Sequence, residues 1–436
     1  MATTRTKKDA RASFVADAAR TEDESSSTRR RPAERVSSGG RSKVWEYIAL
    51  ATVPVVLVLG NSMIVPILPT LQRELGISSL QSSLVITLFS LTAAFLIPVA
   101  GFLSDRFGRK AVIVPAFIVY GGAGILSGFA AVWHSYGLLL AARALQGIGA
   151  SGTTPIVMAL TGDLYKDAEE SRALGLIEAA NGSGKVISPI LGSLLALIVW
   201  YAVFFSFSVF CLLSMIAVLV WIKEPKREDE PMRIKEYLSK TGQIFKQHGR
   251  WLYASFWAGT AALFILFGVL FFLSNILEEP PYSIEGVRKG FFLSIPLFGM
   301  VTFAYLTGIV IKKNGVLIRW MMNIGLLLMV VALGLAIWFN NNLYWVIGLL
   351  TASSVGTGML LPCLTTMITG IVEKAERGML TSLYSGLRFF GVALGPPIFG
   401  WMMGISHRIV FIAVSLMSFV TLALVFFLVK PAKTVK

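Results

Sequence analysis

From residue 45 onward the chain alternates long apolar runs with short polar breaks. Runs of 20 or more mainly apolar residues recur almost to the end of the chain. A helix needs about 20 such residues to cross roughly 30 Å of hydrocarbon. The pattern predicts twelve spans, at 45–69, 81–104, 110–132, 136–162, 172–197, 199–222, 251–277, 288–311, 316–339, 342–371, 379–404 and 408–430. These runs are too long, and too rich in Leu, Ala and Gly, for the alternating segments of about ten residues that build a membrane barrel. The fold class is therefore all-α membrane protein, with no length left for a sizeable soluble domain.

The longest internal break, 223–250, separates two six-span halves, 45–222 and 251–430. Within it, Ile234, Leu238, Thr241 and Phe245 share one helical face, so a linker helix lying on the membrane surface is expected. The halves resemble each other. Sliding residues 101–200 by 207 positions aligns Gly101 with Gly308, Gly108 with Gly315, Gly149 with Gly356, Pro155 with Pro362, Gly184 with Gly391 and Pro189 with Pro396. Gly and Pro set helix approach and kinks in membranes, so their recurrence points to a structural repeat. Two six-helix bundles related by a pseudo-two-fold axis along the membrane normal are the expected arrangement.

Composition agrees: 55% of residues are hydrophobic and 14% charged, against about 25% charged in soluble domains. The net charge of +15 raises nucleic acid as a partner, but its placement argues against one. Eleven of the 39 Lys and Arg lie in residues 1–43, and the loops on one side of the spans hold 18 while the opposite loops hold four. Such a bias orients a membrane protein with the basic side in the cytoplasm. A multi-pass protein of the plasma (inner) membrane with both termini cytoplasmic follows. Residues 1–44 and 431–436 read as cytoplasmic tails, the first disordered. It lacks the apolar core of a secretory signal, and its six acids disfavour a mitochondrial presequence. Cys211 and Cys363 lie singly in apolar spans, so neither a disulfide framework nor a metal site is expected. No cofactor is expected either, and no phosphate loop of an ATP-driven pump occurs.

Several motifs stand out. The loop after span 2 reads Gly101-Phe-Leu-Ser-Asp105-Arg106-Phe-Gly108-Arg109-Lys110. Gly108 suits the tight connection, and Asp105 is placed to cap the next helix or to pair with a basic helix end. Span 4 carries Arg143-Ala-Leu-Gln146-Gly147-Ile-Gly149, span 5 carries Gly184, Ser188, Pro189 and Gly192, and span 11 carries Gly391, Gly395 and Pro396. Span 1 ends on Asn61 followed by Pro66 and Pro69. The 101–110 loop closely resembles the signature loop of the major facilitator superfamily. The Arg143 segment resembles the motif of that family's proton-coupled members, and the glycine–proline segments look like a weakened form of the motif of its drug antiporters. The resemblance covers residues 45–430. It implies that Gly101, Asp105, Arg106, Gly108 and Arg109 serve gating, holding the cytoplasmic ends of the halves together in the outward-open state. It also implicates Arg143 in proton transfer. Blander readings stand beside these: a basic orienting loop, an arginine that binds backbone carbonyls, and small residues used only for helix packing.

Setting loops aside, the deep ionisable residues are Arg143, Lys185, Arg388 and Glu178, with Asp163 at the cytoplasmic end of span 4. Each costs at least about 2.5–3.5 kcal/mol at the bilayer centre if unpaired, so each is a functional candidate. Glu178 and Lys185 are two turns apart on one face, roughly 10 Å along the axis, and Arg388 is the repeat equivalent of Asn181. Glu178, Arg143 and Asp163 are the candidates for proton coupling. Asn61, Gln146, Glu178, Asn181, Lys185 and Arg388 are those for substrate. A fixed Glu178–Lys185 ion pair is the structural alternative. The expectation is a monomeric, non-enzymatic secondary transporter that exports a small organic molecule in exchange for protons by alternating access. Two readings compete with it. One is uptake or exchange of an anionic metabolite, suggested by the formal interior charge of +2. The other is a membrane sensor that keeps the fold without turnover, suggested by the basic tail.

Overall fold

The computed structural model describes residues 40–224, 234–311, 314–371 and 374–430. The first 39 residues of the expected tail, the 225–233 part of the linker and residues 431–436 lie outside them. Trp45–Lys436 is one compact unit. It is built of helices, and no strand occurs among the described residues.

Span 1 runs through Gly40–Ser62, a 3-10 turn Val65–Ile67 and a second helix Leu68–Leu75. Span 2 is Ser79–Phe107, span 3 Arg109–Val132, span 4 Tyr136–Ser151 with Thr154–Leu164, span 5 Asp167–Ala196 and span 6 Ala202–Trp221. Ile234–Glu278 joins the linker helix to span 7, and spans 8 to 12 are Gly286–Ile311, Gly315–Phe339, Leu343–Ile371, Lys374–Met403 and His407–Leu428. The chain thus forms the two six-helix bundles of the predicted class. Below, the basic end is the one that holds the 101–110 loop, and the far end is its opposite.

Two spans differ from the apolar pattern. Span 1 continues six residues beyond the expected end at 69, because its second helix, amphipathic and partly exposed, carries Gln72 and Arg73. Pro66 and Pro69 lack the N–H groups an unbroken helix requires, which accounts for the 3-10 turn between its two pieces. Span 4 is interrupted at Gly152 and Thr153, just before Pro155. Among the described residues nine helices are long and apolar enough to cross a membrane. The three that fall short are spans 4, 5 and 11, and these carry Arg143, Glu178, Lys185 and Arg388. Span 4 falls short because its break leaves pieces of 16 and 11 residues, whereas spans 5 and 11 are unbroken and interrupt the apolar pattern with Glu178, Lys185 and Arg388.

The linker helix meets span 7 at Gly249, whose φ of 49° is left-handed backbone that glycine adopts without strain. Phe245 of the predicted apolar face packs on Tyr253 and Phe256 of span 7. Repeat-related glycines do equivalent work. A Cβ on Gly149 would lie 2.6 Å from Ala116 O of span 3, and one on Gly356 would lie 2.3 Å from Gly325 O of span 9. Spans 4 and 10 therefore approach spans 3 and 9 backbone to backbone.

Candidate functional site

The deep polar residues separate into two groups. In the first half, Arg143 is fully buried. Its Nε donates to Val85 O at 3.0 Å, Nη2 to Gly60 O at 3.0 Å and Nη1 to Gln146 Oε1, and the guanidinium lies 4.4 Å from the Phe89 ring centroid. Each of these partners is neutral, so the guanidinium ties spans 1, 2 and 4 together through backbone carbonyls. Asn61 joins the same cluster, donating to Ser90 Oγ at 3.2 Å. Asn61 Oδ1 and Gln146 Nε2 are buried without a partner.

The second group lies on spans 5 and 11. Leu176, Ile187 and Leu194 are exposed and mark the outer, lipid-facing side of span 5. At about 100° per residue, Glu178 and Lys185 fall on the opposite side and Asn181 well round towards it. The exposure of Glu178 is therefore exposure to an interior space. Lys185 stands within electrostatic range of Glu178 and of Arg388 from the other half. Neither Glu178 nor Lys185 makes a hydrogen bond or ion pair among the described residues, so the fixed ion pair is not formed here. Arg388 lies over the Tyr384 ring at 5.4 Å, while its Nε and the Tyr384 hydroxyl are buried without partners.

At the basic end, Arg109 donates to Asp163 Oδ2 at 2.9 Å, Asp105 Oδ1 at 2.5 Å and Ser104 Oγ at 2.8 Å. Asp163 thus joins the signature loop rather than Glu178, and Arg106 is exposed and outside this cluster. The capping anticipated for Asp105 falls to Glu224, whose carboxylate accepts from Arg109 N at 2.5 Å and Lys110 N at 3.0 Å. Gly108, with φ of 104°, leaves room for it: a Cβ there would lie 3.2 Å from Glu224 Oε1.

Sequence reasoning missed a fourth cluster, at the far end and between the halves. Glu278 of span 7 accepts from Arg73 of span 1 at 2.6 Å and from Lys289 of span 8 at 2.7 Å. Lys289, only 1% exposed, also donates to Pro66 O at 2.7 Å. Ser274 Oγ donates to Val65 O at 2.7 Å, and Gln72 reaches Asn275 at 3.3 Å. Pro69 cannot donate back to Val65 O, nor Pro397 to Ala393 O. Ala393 O instead takes Thr87 Oγ1 of span 2 at 2.7 Å. The prolines of spans 1 and 11 therefore leave carbonyls that accept hydroxyls from the opposite half. The only sequence signal for this latch was the proline pair of span 1.

Two bundles that meet around deep polar residues make a transporter architecture. The sequence profile of the Major Facilitator Superfamily matches residues 50–318 and 282–436, and the chain belongs to that family. The bacillibactin exporter of Bacillus subtilis (strain 168) is 42% identical over 391 residues, 89% of this chain and 97% of the relative. Multidrug resistance protein 1 of the same organism is 28% identical over 352 residues, 80% of this chain and 87% of the relative. The fold is similar to that of the human organic anion transporter MFSD10, with a TM-score of 0.69 at 17% identity over 88% of this chain and 99% of the other. The protein is accordingly a multi-pass membrane transporter of small molecules and not an enzyme.

Proposed function

We propose that the chain exports a small organic molecule in exchange for protons, with its basic end in the cytoplasm and Glu178 as the titrating group. The observation that carries export is the 42% identity to an exporter along 97% of that relative's length. Proton exchange needs a group that titrates and is reached alternately from the two sides. Arg143 and Arg388 stay protonated in proteins, and Arg143 is occupied with carbonyls. Asp163 is bonded to Arg109 at the basic end. Glu178 is the deep carboxyl that faces an interior space, with a neighbouring lysine whose approach or retreat changes its proton affinity. The far-end latch supplies an element that must break when the halves rock. Under the charge bias of the loops it lies outside, and the two halves 45–222 and 251–430 move about it with the 223–250 linker spanning them in the cytoplasm.

Bacillibactin is the first substrate to test, because of the relative's name. Everted membrane vesicles that contain the protein, energised to an acid interior, should accumulate it, and a protonophore should abolish the accumulation. Accumulation only in right-side-out vesicles would favour the uptake reading instead, and accumulation insensitive to the protonophore would remove the proton from the cycle.

A further inference from the structure

We propose that the space between spans 5 and 11 binds a bifunctional organic acid. An anionic oxygen group bridges Lys185 and Arg388, and a hydrogen-bond donor elsewhere on the same molecule engages Glu178. This rests on the transporter reading above and names the substrate class of that site.

The argument begins with the balance of donors and acceptors. Lys185 brings three N–H groups and Arg388 five, and neither has an acceptor of its own. Arg388 Nε and the Tyr384 hydroxyl are buried and unpartnered, and Tyr384 as a whole is 2% exposed. A buried unsatisfied polar atom costs about 1–3 kcal/mol, and two stand together here on span 11, facing Lys185 of span 5. The acceptor that could serve them, the Glu178 carboxylate, lies two turns towards the basic end on span 5 and bonds to none of them. With Arg143 withdrawn behind its carbonyl bonds, the space holds two cations against one carboxylate. Such a surface disfavours a ligand that is only a cation and favours one that brings acceptor oxygens.

Placement adds a second requirement. Lys185 belongs to the first half and Arg388 to the second, so an anionic group held by both ties the halves together at mid-depth. Glu178 remains an acceptor without a donor. A ligand amine, as its ammonium, is held far more strongly by the ionised carboxylate than by the protonated one, so ligand and proton compete there, which is the sign exchange requires. A purely anionic ligand would instead leave Glu178 beside an added negative charge and strengthen its hold on a proton. Competition therefore asks for both groups on one molecule. At roughly 10 Å between the two levels of span 5, less the reach of the side chains, a single aromatic ring spans the gap.

The test is equilibrium binding to the purified full-length protein in detergent, with no gradient, so failure of proton coupling would leave it intact. Three matched probes are 4-(aminomethyl)benzoate, which carries both groups, 4-methylbenzoate, which carries the acid alone, and 4-methylbenzylamine, which carries the amine alone. The first should bind at least about tenfold more tightly than either of the others. Lys185→Gln and Arg388→Gln should lower it to the level of 4-methylbenzylamine, and Glu178→Gln to that of 4-methylbenzoate. Lys185→Arg and Arg388→Lys keep the charge and should retain most of the affinity, which separates lost recognition from lost folding. Tyr384→Phe should weaken both benzoates and leave 4-methylbenzylamine unchanged. The proposal is overturned if 4-methylbenzylamine binds tightest, if the first probe does not bind at millimolar concentration, or if the two glutamine variants of the cations bind it as the native protein does.

Discussion

Removal of the Glu278 charge should open the far end, and the structure sets the size of the effect. Lys289 is 1% exposed and rests on two oxygens, Glu278 Oε1 and Pro66 O. The Glu278 side chain is itself 8% exposed. In Glu278→Gln the ammonium keeps the carbonyl and loses its counter-charge. Hydrogen bonds to charged groups contribute about 1.5–3 kcal/mol, and loss of one partner of a buried pair costs about 3–5 kcal/mol. Separation of the halves admits water to Lys289 and relieves that cost, so the penalty falls mainly on the closed state. The closed-to-open ratio should drop at least about tenfold. Arg73 is different: its side chain is 54% exposed, and exposed pairs are worth about 0–1 kcal/mol, so Arg73→Gln should shift the ratio only a few-fold. Spin labels at positions 74 and 279, in a Cys211, Cys363-free background, would report the gap by double electron–electron resonance. Glu278→Gln should show a second, longer distance population, and Arg73→Gln a smaller one. An unchanged distribution in Glu278→Gln, or a larger shift in Arg73→Gln, would refute the reasoning.

A Cβ on Gly391 would lie 2.1 Å from Thr260 O, whereas one on its repeat equivalent Gly184 would meet nothing nearer than 3.7 Å. Gly391→Ala should therefore lower the unfolding temperature in detergent, at a cost of about 1–3 kcal/mol, while Gly184→Ala changes it little; equal shifts would contradict the packing. Glu224→Gln removes the charge that caps span 3 and should destabilise by about 1 kcal/mol, read by the same melt; a wild-type melting temperature would reduce that contact to an incidental one. In intact cells a membrane-impermeant thiol reagent should label a cysteine at position 279 and not one at position 240; labelling of 240 would invert the orientation.

The helices and their repeat were legible because burial in lipid demands long apolar runs and because Gly149 and Gly356 mark the same backbone approach twice. The deep charges were legible because the bilayer makes them rare. Their partners were not. Arg143 reads as a charge in need of an acid, yet carbonyls of Val85 and Gly60 satisfy it, and a carbonyl leaves no trace in a sequence pattern. Lys289 and Glu278 sit at span ends, where charges usually reach water, so only the tertiary structure reveals their burial against Pro66. Glu224 caps a helix that begins 115 positions earlier in the chain, a distance at which local capping rules are silent. The apolar pattern ends span 1 at Pro69 because Gln72 and Arg73 are polar, although they form half of the latch.

The central claim, that Glu178 couples substrate to proton, is tested most directly by Glu178→Gln reconstituted in proteoliposomes and assayed two ways with bacillibactin. Without the titrating carboxyl, the variant should still exchange labelled for unlabelled substrate down its gradient but fail to concentrate it when a pH gradient is imposed. Retained gradient-driven accumulation in Glu178→Gln would contradict the account.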